Sequence, residues 1–77
     1  MNEPTTCENY LHDLGFLIRE MALEAKSKSA ISRSDFDFGY LAAFHRVVSL
    51  MQQQADAFGL PVEIMRLENL DPDEELI

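Results

Sequence analysis

The sequence predicts an all-α protein: an antiparallel helical hairpin of two long helices with a short C-terminal arm, dimerising into a four-helix bundle. Apolar residues recur at spacings of three and four along two segments, which is the period of amphipathic helices. The second segment ends at a strong stop formed by Gly59, Leu60 and Pro61. The 77 residues form one domain with a thin core, because a chain of this size buries only about 60 to 65% of its unfolded surface. Support from a second copy is therefore expected.

The first helix is predicted from about residue 6 to about residue 27. Its expected core seam has spacings of four, three, four, three and four, and consists of Cys7, Leu11, Leu14, Ile18, Met21 and Ala25. Thr5 and Glu8 have the form of a capping box, in which each side chain satisfies an amide of the other residue. The pattern fades after Lys26, and no glycine or proline marks a sharp end.

The second helix is predicted from about residue 35 to about residue 58. Ser34 is a good N-cap, and Asp35 and Asp37 lie in the first turn, where the helix dipole favours negative charge. At the other end, Gly59 is expected just past the last helical residue in a left-handed conformation, and Pro61 prevents continuation. These are the clearest boundaries in the sequence.

The second helix carries more apolar surface than one neighbour can cover. Its apolar arc is about 180 degrees wide, whereas a helix packed on one core needs about 100 degrees. The residues expected to meet a second copy are Phe36, Tyr40, Ala43, Val47, Leu50 and Gln54. Each large side chain left in water forgoes roughly 1.5 to 3 kcal/mol, against about 5 to 15 kcal/mol for a whole domain. The arc therefore predicts a homodimer, in which Gln54 sets the register and Gly39 admits a close helix.

The arm, residues 61–77, is expected to be extended or to form a single turn across the bundle. Asp71 and Pro72 have the form of an N-cap and a first helical residue. Two interpretations of the acidic end stay open. It is either a solvated, partly frayed terminus, or an acidic-hydrophobic motif that docks Leu76 and Ile77 on a partner.

Charge and composition exclude several classes of function. A net charge of −8 repels nucleic-acid phosphates and anionic lipid, and no apolar run approaches the ~20 residues that span a bilayer. The single cysteine, Cys7, fits a reducing compartment, so a cytoplasmic location is expected. His12 and His45 are too isolated for a metal site, and neither a P-loop nor a nucleophile elbow occurs. An enzyme, a cofactor and a metal are not expected. His12 is expected on the surface and His45 at the dimer interface.

The leading functional hypothesis is a non-catalytic, homodimeric module that binds another protein. Two outward aromatic residues, Phe16 and Phe38, are candidate anchors for that partner. Gly15 beside Phe16 is expected to admit the partner closely. The candidate acidic contacts are Asp71, Asp73, Glu74 and Glu75.

Two alternatives stay open. An acidic inhibitor of the anti-CRISPR or anti-restriction kind would occupy the basic groove of a nucleic-acid-handling complex, with carboxylates at phosphate-like spacing. The carboxylates expected to form that row are Glu3, Glu8, Asp13, Glu20 and Glu24. An RNA-binding hairpin dimer in the style of the plasmid regulator Rop would instead use Lys26, Lys28, Arg33 and Arg46.

Overall fold

The computed structural model describes residues 5–77, and the regular structure of this range is entirely helical. Helix α1 spans Thr6–Ser32 and helix α2 spans Asp35–Ala57. A 3-10 turn at Val62–Met65 and a short helix α3 at Pro72–Glu75 follow. The two long helices pack against each other and are joined by two residues, so they run antiparallel. The predicted all-α hairpin with a short C-terminal arm is confirmed.

Helix α1 begins where the sequence predicts and ends later. Thr5 Oγ1 accepts a hydrogen bond from the Glu8 amide at 3.1 Å, which caps the first turn. The helix continues beyond residue 27 to Ser32 and ends at Arg33, which has a φ of 53°. Its last turns hold because Ala25 and Ser29 are both buried. A pattern of large apolar residues does not show such a small-residue contact, which is why the predicted end came too early.

The ends of α2 follow local sequence signals. Ser34 Oγ accepts the Asp37 amide at 3.1 Å. At the other end Gly59 has a φ of 69°. The Leu60 amide donates to the Ala55 carbonyl at 2.8 Å, and the Gly59 amide donates to the Asp56 carbonyl at 3.0 Å. This pair of bonds is a Schellman motif, as Gly59 and Leu60 predict.

The arm folds back along one side of the hairpin. The 3-10 turn packs on α1, and α3 packs on α2. Arg19 Nη1 donates to the Glu68 carbonyl at 2.8 Å and to the Arg66 carbonyl at 3.0 Å. From the other helix, Gln52 Nε2 donates to the Leu70 carbonyl at 2.8 Å. Both long helices thus hold the backbone of residues 66–70.

Leucines of the arm fill the core, because the buried residues that α1 gives to it are alanines. The buried cluster consists of Ala22, Ala25, Leu41, Val48, Leu67, Leu70 and Leu76. Leu67 and Leu76 are among its largest fully enclosed side chains. Leu76 has an exposed fraction of 0%. The arm is therefore part of the folded domain. Leu76 is neither in a frayed terminus nor docked on a partner, because it packs in the core of its own chain.

The predicted core seam of α1 is only partly correct. Leu11 and Ile18 are half-buried and Ala25 is buried, whereas Leu14, Met21 and Cys7 are exposed. The buried side of α1 is centred on Ala22, so the seam straddles its edge. Cys7 lies in the first turn of a helix of 27 residues, which extends past the end of a partner helix of 23.

Candidate functional site

The hairpin presents an apolar surface on the side opposite the arm, here called the open face. Helix α2, with its C-cap, contributes Phe36, Tyr40, Ala43, Val47, Leu50, Gln54 and Phe58, all exposed. Helix α1 contributes Tyr10, Leu14, Leu17 and Met21, also exposed. Exposed fractions reach 78% for Phe36 and 64% for Tyr10. Both long helices therefore take part in one surface that residues 5–77 leave uncovered.

Helix geometry places the two rows of residues on the same side. On α2, the arm-binding Gln52 lies about 40 degrees to one side of the buried Val48, and the exposed row lies about 80 to 160 degrees to the other. On α1, Arg19 lies about 60 degrees to one side of Ala22, and the exposed row about 80 to 140 degrees to the other. Because the helices are antiparallel, both rows lie on the face away from the arm.

Aromatic rings line the α2 part of the open face towards the interhelical loop. The rings of Phe36 and Tyr40 stack with centroids 6.2 Å apart and planes 13° apart. Tyr40 meets Phe44 edge to face, with centroids 5.1 Å apart. Such contacts restrict the orientations of the rings.

The size of the open face separates it from ordinary surface hydrophobicity. Its nine large apolar side chains have exposed fractions between 37% and 78%. With about 200 Å² for a fully exposed residue of this size, they present on the order of 1,000 Å². Monomeric soluble proteins rarely expose a contiguous apolar patch larger than a few hundred Å². A standard interface buries about 800 Å² per partner.

The six residues predicted for the dimer interface all lie on the open face, whereas the contribution of α1 was missed. Tyr10, Leu14, Leu17 and Met21 follow one another at spacings of four, three and four. That pattern is visible in the sequence, but Leu14 and Met21 belong to the predicted core seam. Glu24 and Lys28 continue the row towards the loop and form an ion pair of 3.2 Å.

The arm concentrates the negative charge on the other side of the molecule. Residues 61–77 contain six acidic residues and one arginine, a net charge of −5. Asp71 Oδ1 accepts the Asp73 amide at 3.0 Å, and the Asp71 amide donates to Glu75 Oε2 at 2.7 Å. Glu74 is exposed in the same turn. The capping bonds of α3 thus hold the side chains of two of the four predicted acidic contacts, Asp71 and Glu75.

His45 lies between the hairpin and the arm. Its Nε2 is 2.9 Å from Asp73 Oδ1 of the same chain, and the Asp73 side chain is 86% exposed. His45 thus has a partner within its own chain, and the hydrogen bond predicted for it across a dimer interface stays a prediction. The arm was expected to lie across the bundle, but no local sequence pattern places Asp73 beside this histidine. His12 is half-buried on α1.

The two predicted aromatic anchors lie at separate places. Phe16 lines a shallow groove of about 430 Å³ with His12, Asp13 and Arg66. Phe38 lines a groove of about 330 Å³ that also includes Leu76. The expectation that Gly15 admits a partner beside Phe16 is wrong, because Gly15 is buried against the backbone of Met65.

The structure brings together only part of the row of acidic residues that was predicted along α1. Asp13, Glu20 and Glu24 share the outer side of α1, whereas Glu8 lies more than about 100 degrees away, so these acids form no single row. Glu3 lies outside the described residues.

The Lys26 ammonium donates to the Ile77 carbonyl. Within residues 5–77, no cluster of His, Cys, Asp and Glu could hold a metal ion, and no helix is long and apolar enough to cross a membrane.

No protein-family model matches the chain, and comparisons with curated proteins and with solved structures find no significant match.

Proposed function

We propose that the chain is a non-catalytic interaction module that works as a homodimer, with the cytoplasm as its expected compartment. Two copies associate through the open face into a four-helix bundle. Each copy then displays its acidic arm on the outside of the bundle to a protein partner. One observation carries the proposal: an apolar surface on the order of 1,000 Å² spans both long helices opposite the arm.

The open face has a lower free energy in contact with a second copy than in contact with water. Burying it stabilises the assembly by roughly 25 cal/mol per Å² of apolar area removed from water, before the cost of association. From Phe36 to Phe58, the row on α2 contains no charged residue. The like charges of the two arms stay apart, because each arm lies on the far side of its own hairpin. Self-association therefore removes the apolar open face from water without bringing the acidic arms of the two copies together.

In this dimer, the protein partner would bind the outer surface of the bundle, because the second copy covers the open face. Asp71 and Glu75 are held by capping bonds, so less conformational entropy is lost when a basic surface binds their carboxylates. Phe16 and Phe38 lie off the open face and remain available as aromatic contacts in the bundle.

The acidic charge of the arm also supports a second candidate function, an inhibitor that occupies a basic, nucleic-acid-binding groove. Such binding weakens steeply with salt, because it replaces phosphate contacts. The carboxylates that support it are those of the arm, since the acids of α1 do not form one row. Salt dependence measured on a captured partner separates this candidate from an apolar contact through Phe16 or Phe38.

Sedimentation velocity over a low-micromolar concentration series tests self-association. We expect a species of twice the 8.8 kDa chain mass. Val47→Glu places a charge at the middle of the open face, and we expect it to give a folded monomer with an unchanged helical circular dichroism spectrum. Gln53→Glu adds the same charge on the outer side of α2, about 120 degrees away, and should remain dimeric. A wild-type monomer throughout the series, or a dimer that survives Val47→Glu, would overturn the proposal.

A further inference from the structure

We infer that the two copies meet in one defined arrangement, in which each α2 packs antiparallel on the α2 of the other copy with the two-fold axis at Val47. This inference rests on the proposed function, because it specifies the geometry of association through the open face. It concerns which residues of one copy face which residues of the other. In this arrangement the interhelical loops of the two hairpins lie at opposite ends of the bundle.

The row on α2 has nearly the same pattern in both directions about Val47. Phe36 and Phe58 lie eleven residues on either side of it, and Tyr40 and Gln54 lie seven residues on either side. In a two-fold interface, if one residue contacts a second, the second contacts the first in return. An antiparallel pair of α2 helices therefore brings together residues at equal distances from Val47.

The resulting pairs are chemically complementary. Phe36 of each copy meets Phe58 of the other, and both side chains are more than three-quarters exposed in the single chain. Tyr40 meets Gln54, so its hydroxyl and the amide can hydrogen-bond instead of being buried without partners. Ala43 lies four residues before Val47 and meets Met51, four residues after it, at the edge of the open face, where Met51 is half-buried against its own core. A small residue thus faces a large one, as interdigitated packing requires.

The pairing also explains why an amide stands in an otherwise apolar row. Gln54 is exposed in the single chain, where water satisfies it. In the dimer it has a partner at one register, opposite Tyr40. A shift of one helical turn would leave both polar groups against apolar side chains, at the desolvation cost of groups without partners. The glutamine therefore selects the register, in the way that buried polar residues do in coiled coils.

The arrangement of α1 follows from the hairpin. Because the loop contains two residues, the level of Val47 corresponds to about residue 19 or 20 of α1, given equal rise in both helices. Leu17 and Met21 lie on either side of that level. Each α1 thus packs antiparallel on the α1 of the other copy, around the same axis.

Distances between spin labels test the arrangement. The labels are placed at Ile31→Cys, 85% exposed near the loop, and separately at Arg46→Cys near the axis, both with Cys7→Ser. For position 31 we expect one intermolecular distance of about 40 Å, since the loops are at opposite ends. For position 46 we expect a distance below about 25 Å, because neighbouring helices are 8 to 10 Å apart.

The outcomes separate this inference from the proposed function. A distance of about 25 Å or less at position 31, in a protein of dimeric mass, places the loops at the same end. That result overturns the arrangement and leaves the homodimer intact. Absence of any intermolecular distance, together with a mass of 8.8 kDa, overturns both.

Discussion

The guanidinium group of Arg19 holds the main chain of Glu68, with 2.8 Å between Nη1 and the carbonyl oxygen. The same nitrogen donates to the Arg66 carbonyl at 3.0 Å. The segment around these carbonyls is irregular, since Arg66 and Asn69 have φ values of 59° and 61°. Backbone groups outside a helix or a sheet need other partners. Arg19 and, from the opposite helix, Gln52 supply them.

Arg19→Met tests this link between α1 and the arm. The variant keeps most of the apolar stem but leaves two carbonyls without their donor, one of them in a partly buried bond. We expect the free energy of unfolding to fall by about 1 to 3 kcal/mol, the cost of polar groups left without partners. Urea unfolding at one fixed protein concentration measures it, because a dimer gains stability with concentration.

Arg46→Met is the matched control for Arg19→Met. Arg46 is exposed on the outer side of α2, so its loss should change the free energy of unfolding by no more than about 0.5 kcal/mol. Equal effects of the two substitutions would show that the hydrogen bonds of Arg19 add nothing beyond the loss of one positive charge.

The sequence could predict the features that depend on near neighbours. Each of these features involves residues within five positions of one another, so the local sequence suffices. They are the caps at Thr5, Ser34 and Asp71 and the Schellman motif at Gly59. The contacts of Arg19 cross 47 and 49 residues. No local pattern distinguishes an arginine that binds a distant loop from one that faces solvent.

The open face shows a second limit of periodicity. Helix α1 carries two overlapping apolar rows, one containing Ile18 and Ala22 and the other containing Leu17 and Met21. They lie roughly 80 to 100 degrees apart, and either could face the core. The choice depends on where the arm lies, because the leucines of the arm fill the space beside Ala22. On α2 the apolar arc exceeded what one neighbour covers, so an exposed remainder could be predicted without knowing the arm.

Leu76→Ala tests whether the end of the arm belongs to the folded domain. Leu76 is fully buried in the core cluster, and removing its methyl groups creates a cavity. We expect the free energy of unfolding to fall by about 2 to 5 kcal/mol, a large share of the total for a small domain. Ile77→Ala is the control, because Ile77 is 68% exposed, and it should cost well under half as much. If the two substitutions had equal, small effects, the end of the arm would contribute nothing to stability.

Two glycines in the long helices should respond to alanine with opposite signs. A Cβ at Gly15 would lie 2.8 Å from the Met65 Cα and closer still to its carbonyl group, so the 3-10 turn must move away from α1. Gly39 is exposed on α2, and among the described residues no atom lies within 4 Å of such a Cβ. Gly39→Ala should raise the free energy of unfolding of the single chain by about 0.5 to 1 kcal/mol, since alanine favours the helix. Gly15→Ala should lower it by at least about 1 kcal/mol despite the same gain in propensity, because overpacking costs about 1 to 3 kcal/mol or more when the backbone must shift. Thermal and urea unfolding of both variants measure the difference.

A stabilised Gly15→Ala protein would mean that the arm does not pack against α1 at this residue, and Arg19→Met should then also have little effect.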